Sequence, residues 1–221
     1  MKSNNVIRIF LLIIGNALAL TLALLGLETT PTNFLGWFVM AVSIAYGAGG
    51  VIYFWLRRDK ETALLSEKGN RSFWWILPGF VAIFFAPPAE FLFLKPILPR
   101  GSGMELAGLL LLLLGFSVRI WTRMFLREQY SGYLRVKVGH ILVTDGPYRF
   151  VRHPGYTGFL LIALGLCIGY SSLIGLIAIP VLLLPGLAYR MRVEERLLVR
   201  QFGEEYRNYT RNSKKLIPGI W

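Results

Sequence analysis

Four stretches of this chain, residues 6–27, 34–56, 73–94 and 104–126, are apolar for about twenty residues each, the length a helix needs to cross ~30 Å of hydrocarbon. No other feature narrows the possible folds so far, because lipid offers the backbone no hydrogen-bond partners and admits only helices or closed barrels. A Pro87-Pro88 pair predicts a break in the third stretch. A further apolar region, 157–189, is too long for one crossing and short for two. Gly169-Tyr170-Ser171-Ser172 divides it into halves of about 13 and 17 residues, roughly 20 and 25 Å as helix, so a hairpin of short or tilted spans is expected, with Pro180 and Pro185 as kinks.

With 55% hydrophobic and 16% charged residues and a mean hydropathy of +0.54, the chain is too apolar for an ordinary soluble domain. Arg8 and Asn16 interrupt the first stretch and no small-residue cleavage site follows it, which reads as a permanent span and not a removed signal peptide. The single cysteine, Cys167, supports neither a disulfide framework nor a cysteine metal site. The formal net charge of +12 sits beside apolar segments without a nucleic-acid-binding motif, which points to anionic lipid headgroups and away from nucleic acid.

The basic residues also predict orientation. The segment 28–33 has none, whereas 57–71 holds Arg57, Arg58, Lys60, Lys68 and Arg71, and the strip 127–152 and the tail after Arg190 are basic too. Six passes with both termini cytoplasmic put every basic loop on one side, with Lys95 and Arg100 dissenting. Residues 190–209 read as an amphipathic helix outside the bilayer, with Met191, Leu198, Phe202, Tyr206 and Tyr209 on one face. The expected fold is therefore an all-α integral membrane protein of about six transmembrane helices, the last two a short hairpin, plus a cytoplasmic C-terminal helix.

The chemistry concentrates in GHILVTDGPYRFVRHPGY at 139–156, which contains both histidines, His140 and His153. Asp145-Gly146-Pro147 and His153-Pro154-Gly155 are turn signals, and Tyr148, Arg149, Arg152, His153 and Tyr156 crowd between and beside them. Any one of these could belong to a plain loop, but their density directly before the hairpin favours a site. Signatures of nucleotide-binding or zinc-dependent soluble enzymes are absent, and two histidines thirteen apart with no cysteine nearby make a poor metal site. Arg119 and Arg123 share one face at the end of the fourth stretch, where snorkelling to headgroups is the ordinary explanation. Arg190 and Glu194 share another face, where an ordinary i,i+4 surface pair would account for them, and Glu195 follows.

Taken together, HILVTDGPYRFVRHPGY, an apolar hairpin, RMRVEERLLVRQFGEEYRNY at 190–209 and the close IPGIW resemble the isoprenylcysteine carboxyl methyltransferase family and its phospholipid methyltransferase relatives over about the last 95 residues. That resemblance implies a membrane enzyme that binds S-adenosylmethionine without a Rossmann domain, with 1–127 as N-terminal transmembrane helices and 128–221 as the methyltransferase core. By motif position it implies cofactor contacts at His140, Ile141, Leu142, Val143, Tyr148, His153, Pro154, Gly155, Tyr156 and Glu194, and a substrate-binding role for Arg190. Where the family's human-type enzymes place a cofactor-contacting glutamine, seven residues before the first histidine, this chain has Tyr133, with Gln129 one turn earlier.

The implied reaction is in-line methyl transfer to a lipidic or amphiphilic acceptor, with Arg190 and Glu194 at the reacting centre and the site facing the cytosol. Carboxyl O-methylation of an isoprenylcysteine-like substrate leads. Phospholipid N-methylation, thiol S-methylation and the NADPH-dependent membrane sterol-type reductases, which share a similar C-terminal arrangement, stay open, as does a nonenzymatic membrane scaffold.

Overall fold

The computed structural model describes residues 63–66, 71–95, 97–126, 135–137 and 141–217. The two N-terminal apolar stretches, His140, Gln129, Tyr133 and the closing PGIW lie outside the described residues. Numbered among those residues, the helices are α1 (Arg71–Phe93), α2 (Ser102–Leu126), α3 (Pro154–Gly169), α4 (Leu173–Ala178), α5 (Leu184–Phe202) and α6 (Glu204–Asn212). Two short strands, β1 (Ala63–Ser66) and β2 (Arg135–Lys137), pair antiparallel beside α5, a small ribbon in an otherwise helical fold.

Among the described residues, three helical stretches are long and apolar enough to cross a membrane: Trp74–Phe93, Ser102–Leu126 and the continuous rod Leu173–Phe202. Their outward faces carry large apolar side chains, Leu106, Leu110, Leu113 and Leu114 on α2 among them, as lipid contact requires. The buried side is one cluster joining Ile83, Leu112, Ile162, Leu166, Leu183 and Leu187 from α1, α2, α3 and the rod.

The expected break at Pro87-Pro88 is absent: α1 runs through Pro78, Pro87 and Pro88. A proline removes a donor and crowds the preceding turn, yet neighbouring helices can restore the freed backbone groups within a bundle. The second arm of the hairpin differs more. It does not end near residue 189 but passes through a π-helical turn, Ile179–Leu183, into α5, so the expected separate tail helix is the same rod continued to Phe202. Pro180 lies in that π turn, where the wider ring absorbs the missing donor as a register shift instead of a break. Gly203, at φ 55°, ends α5 and starts α6 in a new direction.

Helix approach is set by glycine. In α2 and α3, a Cβ on Gly108 would lie 2.4 Å from the Gly169 Cα, and one on Gly115 would lie 2.7 Å from the Gly158 carbonyl oxygen. Lipid tails are as apolar as leucine, so helices in a membrane associate through close contact of this kind and not through hydrophobic exclusion.

The hairpin turn is satisfied group by group. Ser171 N–H bonds the Ile168 carbonyl and Ser172 N–H the Cys167 carbonyl, the paired closure of a helix end, with Ser171 at φ 49° in the position glycine usually takes. The first N–H groups of α4 then go to side chains: Leu173 and Ile174 donate to the buried Glu90 carboxylate of α1 at 3.1 and 3.0 Å, and Gly175 donates to Ser172 Oγ at 2.9 Å. Ser172 Oγ itself donates to Glu90 Oε2 at 2.5 Å. A negative group at a helix N-terminus is favourable, and here it ties the turn to a helix more than eighty residues away in sequence.

Two outcomes follow for purified protein in thermal-denaturation assays. Gly108→Ala is expected to cost about 1–3 kcal/mol, because backbone must move, while Gly103→Ala, with nothing within 4 Å of its Cβ, leaves the melting temperature unchanged. Glu90→Ala strands three donors, the Leu173 and Ile174 N–H groups and the buried Ser172 hydroxyl, at roughly 1–3 kcal/mol each where buried, and lowers the melting temperature more than Glu90→Gln, which retains an acceptor oxygen.

Candidate functional site

The strip before the hairpin folds as two short devices. Gly146–Arg149 is a 3₁₀ turn preceded by Asp145, and Gly146 at φ 60° leaves room for the Phe125 ring of α2, which a Cβ there would strike at 2.4 Å. The second expected turn, His153-Pro154-Gly155, is instead the start of α3: His153 occupies the cap position and Pro154 the first turn, where its missing N–H costs nothing. Arg119 of α2 donates through Nη1 to the Gly155 carbonyl at 2.9 Å and holds that helix end in place. This contact, and not snorkelling alone, accounts for Arg119.

The chain returns to the strip from the other side. After α6, Lys214 forms a parallel bridge with Val151, with Arg152 N–H bonding the Lys214 carbonyl at 2.7 Å and His153 N–H the Lys215 carbonyl at 3.0 Å. Tyr209 on α6 donates to the Tyr148 carbonyl at 2.6 Å. The strip is thus pinned from below by α2 and from the side by α6 and the segment after it.

Four of the predicted site residues converge. Arg190, buried on α5, donates through Nε to the Tyr156 hydroxyl at 3.0 Å and through Nη1 to Ser72 Oγ of α1 at 3.1 Å. The Tyr156 hydroxyl donates to Glu194 Oε2 at 3.0 Å. His153, whose side chain is buried, has Nδ1 3.8 Å from Glu194 Oε2 and Nε2 3.4 Å from Glu195 Oε1. Arg190 and Glu194 are therefore not a solvated surface pair: the phenol of α3 stands between them. Glu194 is the more open acid, its side chain 33% exposed against 17% for Glu195.

Behind this row lies a second layer. Glu195 Oε1 accepts from Arg152 Nε at 3.0 Å, and its Oε2 is 3.3 Å from Lys215 Nζ. Arg152 Nη1 also donates to the carbonyls of Thr210 and Ser213. A carboxylate surrounded by an arginine, a lysine and an imidazole is held firmly as an anion acceptor, and the two carbonyls on Nη1 hold Arg152 in place beside it. Tyr206 on α6 is fully buried and its hydroxyl has no hydrogen-bond partner among the described residues. Burial, and next the charges of Glu195 and Glu194, push its phenol above the ordinary range, while burial pushes the Tyr209 phenol up to about 12. Both stay protonated at physiological pH.

The remaining predicted residues sit at the margin. Ile141 is exposed and Leu142 and Val143 are half-buried on the loop before the 3₁₀ turn, and none of the three makes a hydrogen bond or ion pair with the cluster among the described residues. Tyr148 contributes its carbonyl, and Pro154 and Gly155 contribute backbone geometry. No sequence signal singles out Ser72 or Lys215. Ser72 stands in a tryptophan-rich run without a motif, and Lys215 is one lysine of a basic tail.

What the cluster can offer chemically is a negative group at the partly open Glu194 beside a positive one at the buried Arg190. A sequence model of the phospholipid methyltransferase family matches residues 104–205, from α2 to the start of α6. Similar proteins include the protein-S-isoprenylcysteine O-methyltransferase of Schizosaccharomyces pombe, 37% identical over 37% of this chain and 34% of the relative. The probable protein-S-isoprenylcysteine O-methyltransferase of Oryza sativa subsp. indica is 30% identical over 51% of this chain and 60% of its own length. Protein-S-isoprenylcysteine O-methyltransferase B of Arabidopsis thaliana is 33% identical over 39% and 44%. The similarity thus spans only about a third to three fifths of these relatives' lengths. Among solved structures, the eukaryotic intramembrane Ras methyltransferase, isoprenylcysteine carboxyl methyltransferase, shares the fold with a TM-score of 0.53 at 18% identity, covering 100% of this chain and 87% of that one. Residues 104–205, which carry the strip, the hairpin and the Arg190–Glu194 face, are thus similar to the phospholipid methyltransferase family and to its protein-S-isoprenylcysteine O-methyltransferases.

Proposed function

We propose that this protein is an integral membrane S-adenosylmethionine-dependent methyltransferase that esterifies the carboxylate of an isoprenylcysteine-like amphiphile. The observation that carries the reading is the row Arg190, Tyr156, Glu194, in which a buried cation and a partly open carboxylate are joined through one hydroxyl. The donor set fits the cofactor. Glu194, anchored by Tyr156 and flanked by His153, offers a negative group to an ammonium or sulfonium, and the Tyr156 ring lies beside it.

When bound, S-adenosylmethionine supplies an electrophilic methyl group on a sulfonium. The chain's own residues would do the rest. Arg190 orients the acceptor carboxylate by charge-assisted hydrogen bonds, Tyr156 fixes the spacing between Arg190 and Glu194, and the buried surroundings exclude water. A carboxylate needs no general base, so positioning accounts for the catalysis. His140, Ile141, Leu142, Val143 and Tyr148 complete the cofactor side, with His153, Pro154, Gly155 and Tyr156 at the helix start. The site and both termini face the cytosol, where the basic loops lie, and the acceptor enters laterally from the lipid.

The protein reconstituted in lipid nanodiscs is expected to bind S-adenosylhomocysteine and not NADPH. Glu194→Gln weakens that binding about tenfold or more, as loss of an ionic partner requires, and His153→Ala weakens it by removing the group beside Glu194. Labelled methyl is expected to pass to N-acetyl-S-farnesyl-L-cysteine as a base-labile ester. A folded wild type that binds NADPH in preference would overturn the reading, and a base-stable product on lipid amine would move it to phospholipid N-methylation.

A further inference from the structure

We propose that Ser72, at the first turn of α1, is a positioning residue for Arg190 and thereby sets how tightly the acceptor carboxylate is held. The inference rests on the carboxyl methyltransferase reading. It adds a residue from outside the segment 104–205 that the family match covers.

Three contacts between α1 and the rod lie in one antiparallel register. A Cβ on Gly79 would meet the Leu183 Cα at 2.6 Å, and a Cβ on Gly186 would meet the Trp75 carbonyl oxygen at 2.6 Å and the Ile76 Cα at 2.8 Å. One turn further along each helix, in opposite directions, Ser72 Oγ accepts from Arg190 Nη1 at 3.1 Å. Backbones this close leave no freedom to slide, and the Trp75 and Tyr189 rings, 5.6 Å apart, close the same crossing. Ser72 is therefore delivered to Arg190 by the packing of the glycines.

The effect on Arg190 is geometric. A guanidinium is planar, and bonds at two of its nitrogens to groups on two different helices fix the plane. Nε is held by Tyr156 on α3 and Nη1 by Ser72 on α1, and the Ser72 side chain is fully buried. Tyr156 also serves Glu194, so its loss disturbs both halves of the site. Ser72 bonds the arginine of the row, so its loss falls first on the group that orients the acceptor.

The full chain in nanodiscs, with N-acetyl-S-farnesyl-L-cysteine as acceptor, tests this. Ser72→Ala is expected to raise the acceptor KM about tenfold while the S-adenosylhomocysteine Kd changes less than twofold, and Ser72→Thr, which keeps the hydroxyl, restores the acceptor KM. Ser72→Cys, close in shape but a poor acceptor, follows the alanine variant and provides the same comparison if Ser72→Ala does not fold. An unchanged acceptor KM in both hydroxyl-free variants overturns the inference, as does a parallel loss of S-adenosylhomocysteine affinity, which marks a merely structural role. A wild type that binds S-adenosylhomocysteine but transfers no methyl to the probe removes the carboxyl reading and this inference together, whereas an active wild type with indifferent Ser72 variants removes this inference alone.

Discussion

The Glu90 carboxylate is the contact on which the helical arrangement depends. It accepts from the first N–H groups of α4 and from Ser172, and so fixes the start of a rod that runs to Phe202. Arg190 lies seventeen residues beyond Leu173, about 26 Å along a helix, and a rod with one end capped and its middle pressed against Gly79 cannot place its far end anywhere else. The π turn at Ile179–Leu183 contributes as well. A widened turn rotates the face that follows it, so the direction in which Arg190 and Glu194 point belongs to residues more than a turn away from the site.

Within the site, charge is organised in two layers of different firmness. Glu195 is enclosed by Arg152, Lys215 and His153, and Arg152 is in turn tied to the Thr210 and Ser213 carbonyls, so this layer behaves as a scaffold. Glu194 meets a phenol and the other face of the same imidazole, and is more open. Adjacent glutamates in one helix turn thus differ in surroundings, one in a basic cage and the other more open to solvent. The distinction comes from environment, since the side chains are chemically identical.

Much of this was legible in advance. Helix lengths follow from the apolar runs, and α2 begins within two residues of its expected position. His153, Tyr156, Arg190 and Glu194 are linked in the sequence only by a family resemblance, and in the fold they stand together through two hydrogen bonds and a 3.8 Å contact between His153 and Glu194. Other features were hidden for physical reasons. The proline pair in α1 signals a break by local rules, but a bundle can supply what the helix loses. Arg190 looks like the end of the hairpin arm, but the helix runs on to Phe202 because that charge is met by Tyr156 and Ser72 inside the fold. Ser72 and Glu90 act through partners 118 and 82 residues away, and no local pattern encodes such distances.

The return of the chain after Gly203 bears on how the protein is made. Val151 pairs with Lys214, and Thr157 Oγ1 donates to the Leu216 carbonyl at 2.6 Å, so the strip is closed by residues synthesised some sixty positions later. The helices of the hairpin can enter the bilayer while translation continues, but Arg152 and Glu195 have no cage until Lys215 has left the ribosome. The strip is therefore closed only once residues 214–216 have been made, later in synthesis than the helices that it joins.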